Sequence, residues 1–244
     1  MQKNSKIGLF VTCLIDNMRP DLGFSILSLL EQQGFDVEVP AQTCCGQPNY
    51  NGGDRVAAQK IAKSVIDSMS QYEYVVVPSG SCGGMMKYDY IELLKDDSDY
   101  AEKAETFNAK VYELSCFLIE IAKWQPSQTE KSNTTGSSKV TYHDACAGLR
   151  QMGVKEQPRT LLQRADIDIV EMSEAETCCG FGGAFCVKYP DVSNAILEKK
   201  IADIVATGAD AVVAGDLGCL MNIEGKIQRQ GKVIPVYHYA ELLT

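Results

Sequence analysis

One order of cysteines runs through this chain twice: Cys13, Cys44-Cys45-Gly46 and Cys82 in the first half, then Cys146, Cys178-Cys179-Gly180 and Cys219 in the second. Thirty residues separate the lone cysteine from the pair in the first copy and 31 in the second; 36 and 39 separate the pair from the last cysteine. The surroundings repeat as well. Both pairs are followed by glycine, both first cysteines follow a β-rich run (Ile7 to Thr12 and Val140 to His143), and both last cysteines follow another (Val75 to Val77 and Val212-Val213). A feature repeated in order, spacing and context implies an internal duplication, so the chain is read as two copies of one fold.

At 244 residues the chain suits two domains of about 100 to 130 residues, and its 45% hydrophobic content is enough for two cores. The net charge is −9, and no cluster of Lys and Arg is available to neutralise phosphates, which argues against a nucleic-acid partner. No apolar run reaches the roughly 18 to 20 residues of a membrane span, and the residues after Met1 do not form a signal peptide, so a cytoplasmic location is expected. Thiols stay reduced in that compartment. Ten cysteines therefore point to metal, cluster or redox chemistry rather than a disulfide framework.

Strands and helices alternate, which predicts an α/β fold: two tandem duplicated domains, each a small parallel-sheet βαβ unit with its cysteines on the strand-end loops. The first copy predicts strands at 7–12, 36–39, 73–78 and 110–114, with helices at about 20–33, 54–70 and 85–96. Ile61, Ala62, Val65, Ile66 and Met69 form the buried stripe of the second helix and Asp54 its N-cap. The second copy predicts strands at 139–143, 167–172, 211–214 and 233–236, a helix at about 158–165, and another at 191–207 with Ile201, Ile204 and Val205 facing the core and Gly208 as its stop. Residues 124–138 are polar and aperiodic, and read as a linker between a first domain at 1–123 and a second at 139–244. Matching Val233–Val236 to Val111–Leu114 sets Cys116 opposite His238.

In an open parallel sheet, ligands sit outside the carboxyl ends of the strands, and all eight repeated cysteines follow predicted strands. Cys13, Cys44, Cys45 and Cys82 are thus expected to meet at one sheet edge, and Cys146, Cys178, Cys179 and Cys219 at another. Four thiolates suit either tetrahedral zinc or an iron-sulfur cluster. The vicinal pair favours the cluster: adjacent side chains diverge, so they reach two irons more readily than one zinc. The following glycine permits the close backbone approach that a bulky cofactor demands. A disulfide within the pair would be strained.

At these residues the chain resembles the duplicated cysteine-rich, or CCG, family, to which heterodisulfide reductase and the iron-sulfur component of glycolate oxidase each contribute a member. The segments Cys44-Cys45-Gly46-Gln47-Pro48, Pro78-Ser79-Gly80-Ser81-Cys82, His143-Asp144, Gln157-Pro158-Arg159, Cys178-Cys179-Gly180-Phe181-Gly182-Gly183 and Gly218-Cys219-Leu220-Met221 are similar to its lactate utilisation A branch. The resemblance implies an iron-sulfur electron-transfer subunit of an L-lactate oxidising system, with one cluster per domain. A [4Fe–4S] cluster is the implied cofactor and zinc the alternative. The implied partners are a ferredoxin-type iron-sulfur subunit and a third lactate utilisation protein. No ferredoxin-type Cys-x-x-Cys-x-x-Cys run is present, which agrees with a stand-alone subunit of this type.

The chain departs from the family pattern in three ways. Each copy lacks the fifth cysteine, ending Cys82-Gly83-Gly84-Met85 and Cys219-Leu220-Met221-Asn222, which weakens a heterodisulfide-cleaving alternative. Ala147 stands where the pattern has a histidine. Cys116 and Cys186 are additional, and Cys116, His238 and His143 are auxiliary ligand candidates. Asp144 and Arg150 are placed to act on a cluster through hydrogen bonds or charge. No acid-base constellation for oxidising a hydroxy acid is evident, so the dehydrogenase site itself is expected on a partner. A zinc-stabilised scaffold is the non-enzymatic alternative.

Overall fold

The computed structural model describes residues 5–126 and 139–244. Most of the expected linker lies outside the described residues. Its first residue, Trp124, is buried, and its carbonyl accepts a hydrogen bond from Arg164. The chain divides into two compact units, Met1–Ala122 and Lys123–Thr244.

The first unit runs β1 (Lys6–Leu9), α1 (Cys13–Met18), α2 (Pro20–Gln32), β2 (Asp36–Glu38), α3 (Gln47–Asn51), α4 (Arg55–Met69), β3 (Tyr74–Val77), α5 (Gly80–Gly84), a π turn (Met85–Asp89), α6 (Tyr90–Leu94), α7 (Ala101–Asn108), β4 (Val111–Glu113) and α8 (Leu114–Glu120). Its four strands are all parallel and ordered β2-β1-β3-β4. Ile7, Leu9 and Val75 to Val77 are fully buried. Strands covered on both faces read as continuous apolar runs, which is why these two were legible. Asp54 caps α4 by accepting from the Ala57 N–H.

The second unit runs β5 (Lys139–His143), α9 (Cys146–Arg150), α10 (Glu156–Arg164), β6 (Asp168–Ile169), α11 (Phe185–Lys188), α12 (Pro190–Thr207), β7 (Ala211–Ala214), α13 (Leu217–Arg229) and β8 (Val236–His238), closing on a 3-10 turn (Tyr239–Leu242). Its sheet, β6-β5-β7-β8, is again parallel and repeats the first. The long helices repeat residue for residue. α4 buries Ala58, Ala62, Val65, Ile66 and Met69, and α12 buries Ser193, Leu197, Lys200, Ile201 and Ile204 at the same spacing.

Several expectations are corrected. The last strand begins at Val236, not Val233: Val233 is exposed, and Pro235, which has no N–H to donate, offers only its carbonyl to Val212. In the true register Val236 pairs with Val212 as Val111 pairs with Val75, so His238 corresponds to Glu113, and Cys116 lies three residues further on. β6 is cut to two residues because the chain turns away after it, where Asp203 takes the N–H groups of Ser173 and Glu174. Val205 faces solvent, and Lys200 joins Ile201 and Ile204 on the buried face instead. Helices α7 and α13 were not anticipated. The helix expected at 85–96 instead begins at Gly80 and passes through the π turn.

Candidate functional site

The sheet order fixes where each quartet assembles. In β2-β1-β3-β4 the chain reverses its direction of travel across the sheet between β1 and β3, and in β6-β5-β7-β8 between β5 and β7. Connections leave such a switch point on opposite sides and open a crevice at the carboxyl ends of the strands. The lone cysteines stand there. Cys13 and Cys146 are the first residues of α1 and α9, directly after β1 and β5; Cys82 and Cys219 lie in α5 and the first turn of α13, after β3 and β7. The pairs arrive on the loops that follow β2 and β6.

The sulfurs of each quartet meet in the same sequence of contacts. Cys13 hydrogen-bonds Cys44, Cys44 hydrogen-bonds Cys45, and the Cys45 sulfur lies 3.3 Å from that of Cys82. In the second unit Cys146 reaches Cys178, Cys178 reaches Cys179, and Cys179 reaches Cys219. Cys45, Cys82, Cys179 and Cys219 are buried, while the other four are partly exposed at the mouth. Cys44 and Cys178 are held well below the ordinary thiol range, first by the thiols of Cys13 and Cys146, then by the neighbouring cysteine of the pair. The backbone N–H groups of Gly46 and Gly180 also donate to them, at 3.4 and 3.2 Å. Their partners Cys13, Cys45, Cys146 and Cys179 shift up, because each donates to a neighbouring sulfur and is desolvated. Each quartet is thus a ready set of soft donors, with one sulfur already favoured as thiolate.

Backbone geometry holds the pairs in place. Gly46 and Gly180 adopt left-handed conformations, with φ of 86° and 82°. A Cβ on Gly180 would stand 2.6 Å from the carbonyl oxygen of Ser193, whose hydroxyl in turn donates to the Gly180 carbonyl. Gly180→Ala is therefore expected to destabilise the protein by about 2 kcal/mol or more, and Gly34→Ala by only about 1, because Gly34 has a similar left-handed φ but open space around it. Thermal unfolding of the two variants checks the difference. The carbonyl of the second cysteine in each pair is also anchored, by the Tyr90 hydroxyl on Cys45 at 2.8 Å and by the Asn222 amide on Cys179 at 2.9 Å. Sequence reading missed both anchors, because different residue types at different helix positions do the same work.

The auxiliary candidates separate clearly. His143 is fully buried, and one of its nitrogens lies with the Cys179 and Cys219 sulfurs in a group whose ligand atoms are all within 4.8 Å of one another. Burial pushes its pKa down to about 3, with the nearby Lys200 adding to the effect. The Nδ1 of His238 instead accepts the Ala240 N–H and caps the final turn. Its counterpart Glu113 caps α8 in the same way. Cys116 is pushed up to about 12, first by burial and then by Glu113 and Glu120. The Cys186 thiol donates to the Gly183 carbonyl at 3.2 Å, within the glycine-rich loop. Arg150 is exposed at the end of α9.

The second site is also braced by charge. Asp144, two residues before Cys146, is buried and receives two hydrogen bonds from Arg159, at 2.8 and 2.9 Å. Arg159 also bonds Glu171 and lies over the Tyr142 ring. The buried Lys200 donates to the carbonyls of Glu174 and Ala175 and so fixes the loop that leads into Cys178-Cys179. A lysine on the core face of an amphipathic helix was the available signal for that role.

The cysteine-rich CCG domain family matches the chain twice, at residues 7–87 and 140–224. The chain is 44% identical over 241 residues to "Lactate utilization protein A" of Halalkalibacterium halodurans, covering 98% of this chain and 96% of the relative. It is 40% identical over 244 residues to "Lactate utilization protein A 2" of Bacillus cereus, covering 98% of each. Among solved structures, a hypothetical protein from Helicobacter pylori shares the fold with a TM-score of 0.66 at 11% identity; the match covers 98% of this chain and 48% of that one. No helix among the described residues is long and apolar enough to cross a membrane.

Proposed function

The chain belongs to the cysteine-rich CCG domain family, and from that membership and its two cysteine quartets we propose that it is an iron-sulfur electron-transfer subunit of an L-lactate oxidising system, with one cluster in each unit. The lactate assignment rests on near full-length similarity to lactate utilization A proteins. The observation that carries the cofactor is the shape of the donor set. Around one tetrahedral zinc, with Zn–S bonds of about 2.3 Å, four sulfurs would all lie about 3.8 Å apart. The quartets are more open. Their sulfurs run as a chain of contacts, and among the described residues no three cysteine sulfurs are mutually within 4.8 Å. Four spread thiols with no carboxylate among them suit a cluster of several irons.

In this reading Cys13, Cys44, Cys45 and Cys82 hold one cluster, and Cys146, Cys178, Cys179 and Cys219 the other. Such a cluster, when bound, supplies reversible one-electron transfer. The chain's own residues provide the rest. Gly46 and Gly180 let the backbone turn beneath the sulfurs, Tyr90 and Asn222 hold the pair loops, and the partly exposed Cys13, Cys44, Cys146 and Cys178 leave each site open to an electron partner. The dehydrogenase chemistry belongs to a partner protein, with a ferredoxin-type iron-sulfur protein and a third lactate utilisation protein being the companions this role calls for. Anaerobically purified protein is expected to be brown and to carry about eight irons and eight sulfides per chain. It should give an EPR signal on oxidation or reduction and restore lactate-dependent electron transfer to its partners. Protein that holds zinc and no iron after strictly anaerobic handling would instead select the scaffold role.

A further inference from the structure

The two sites differ at one buried position. His143 stands three residues before Cys146, where Phe10 stands three residues before Cys13, and both are 0% exposed. The Phe10 ring belongs to the apolar cluster that includes Cys45 and Cys82. The fold therefore accepts a wholly apolar ring at this position. In the second unit the same place holds an imidazole with no well-formed hydrogen bond at either nitrogen, although the Ala175 carbonyl is near enough to act on it. Burying polar atoms without well-formed hydrogen bonds is costly, so the ring calls for a ligand of the right chemistry. One of its nitrogens is already grouped with the sulfurs of Cys179 and Cys219, the innermost cysteines of the quartet.

We propose that His143 is a direct nitrogen ligand of the metal centre in the second unit, so that the first site is ligated by thiolates alone and the second by thiolates and imidazole. The inference rests on reading the quartets as metal sites. Neutral imidazole is a common ligand of both iron and zinc, and it brings no negative charge. Where such a ligand takes the place of a thiolate the core would be less negative and easier to reduce, as the histidine-ligated two-iron centres illustrate.

The chain has only two histidines, which makes isotopic labelling selective. Full-length protein is prepared anaerobically with natural-abundance or 15N-labelled histidine, and pulsed EPR is recorded on the paramagnetic state of its centres. Direct ligation predicts a strong 14N coupling that converts to 15N on labelling and disappears in His143→Phe, a substitution for which Phe10 is the precedent. Metal that is present without strong histidine coupling, or a coupling that survives His143→Phe, overturns the inference and leaves the metal-site reading intact. Protein that binds no metal overturns that reading itself. If the metal is zinc, X-ray absorption of the Cys44→Ser/Cys45→Ser variant replaces EPR: a nitrogen in the shell supports His143, and an all-sulfur shell overturns it. The labelled wild-type protein decides the question even if His143→Phe fails to fold.

Discussion

Cys178→Ser combined with Cys179→Ser is expected to remove about half of the metal bound per chain, and Cys44→Ser with Cys45→Ser the other half. Each pair supplies the central sulfurs of its own quartet, and each quartet is assembled wholly from connections of one sheet. Serine keeps the size of the side chain but replaces a soft thiolate with a hydroxyl that stays protonated at neutral pH, so it cannot take over as a metal ligand. The neighbouring Cys13 or Cys146 would also lose the sulfur to which it donates. Iron and sulfide analysis of anaerobically purified variants, with circular dichroism to confirm folding, reads the result. An unchanged metal content would remove the pairs from the ligand set. Loss of all metal from either double variant would mean that the two sites do not load separately.

Arg159→Met is the second large effect. Arg159 is the bidentate partner of Asp144, and the Asp144 side chain is 1% exposed. Methionine matches much of the volume but takes away both donors to that carboxylate. Glu171, by contrast, is about half exposed and returns to water at little cost. Breaking a buried pair on one side costs about 3 to 5 kcal/mol, or roughly 10 °C of melting temperature for a chain of this size. The loss should be accompanied by weaker metal retention in the second unit, since Asp144 sits two residues before Cys146. Adding Asp144→Asn removes the stranded charge, and more than half of the lost stability should return. A single variant that melts within 2 °C of the parent would show that the pair contributes little.

The fold was legible where burial is simple. β3 and β7 are apolar on both faces and announce themselves as strands, and the Asp54 and Gly208 helix boundaries rest on local capping. It was less legible at the carboxyl end of the second unit. There Val233, Ile234, Pro235 and Val236 look like a strand, but only ladder pairing could show that pairing starts at Val236. The short helices α1, α5 and α9 were hidden because five or six residues are too few to show a helical period, and their reason for being helical is that the chain must leave a strand at the switch point. Val205, expected in the core, faces solvent while Lys200 is buried, for a related reason. Periodicity alone does not tell which edge of a helical stripe meets a polar loop.

The doubled quartet, its spacing and the alternation of strands and helices were enough to determine that this chain is a tandem α/β protein with two sets of soft ligands. Those properties are carried by residue type and order along the chain. The tertiary structure decided how each set closes and how the two differ. It placed the lone cysteines just after the two strands that flank the switch point, made Cys44 and Cys178 the hydrogen-bond acceptors of their neighbours, and set His143 and Lys200 in the second unit where Phe10 and Val65 stand in the first. Whether a buried nitrogen is satisfied, or a lysine reaches a carbonyl, depends on groups tens of residues away in the chain, and only packing brings those together.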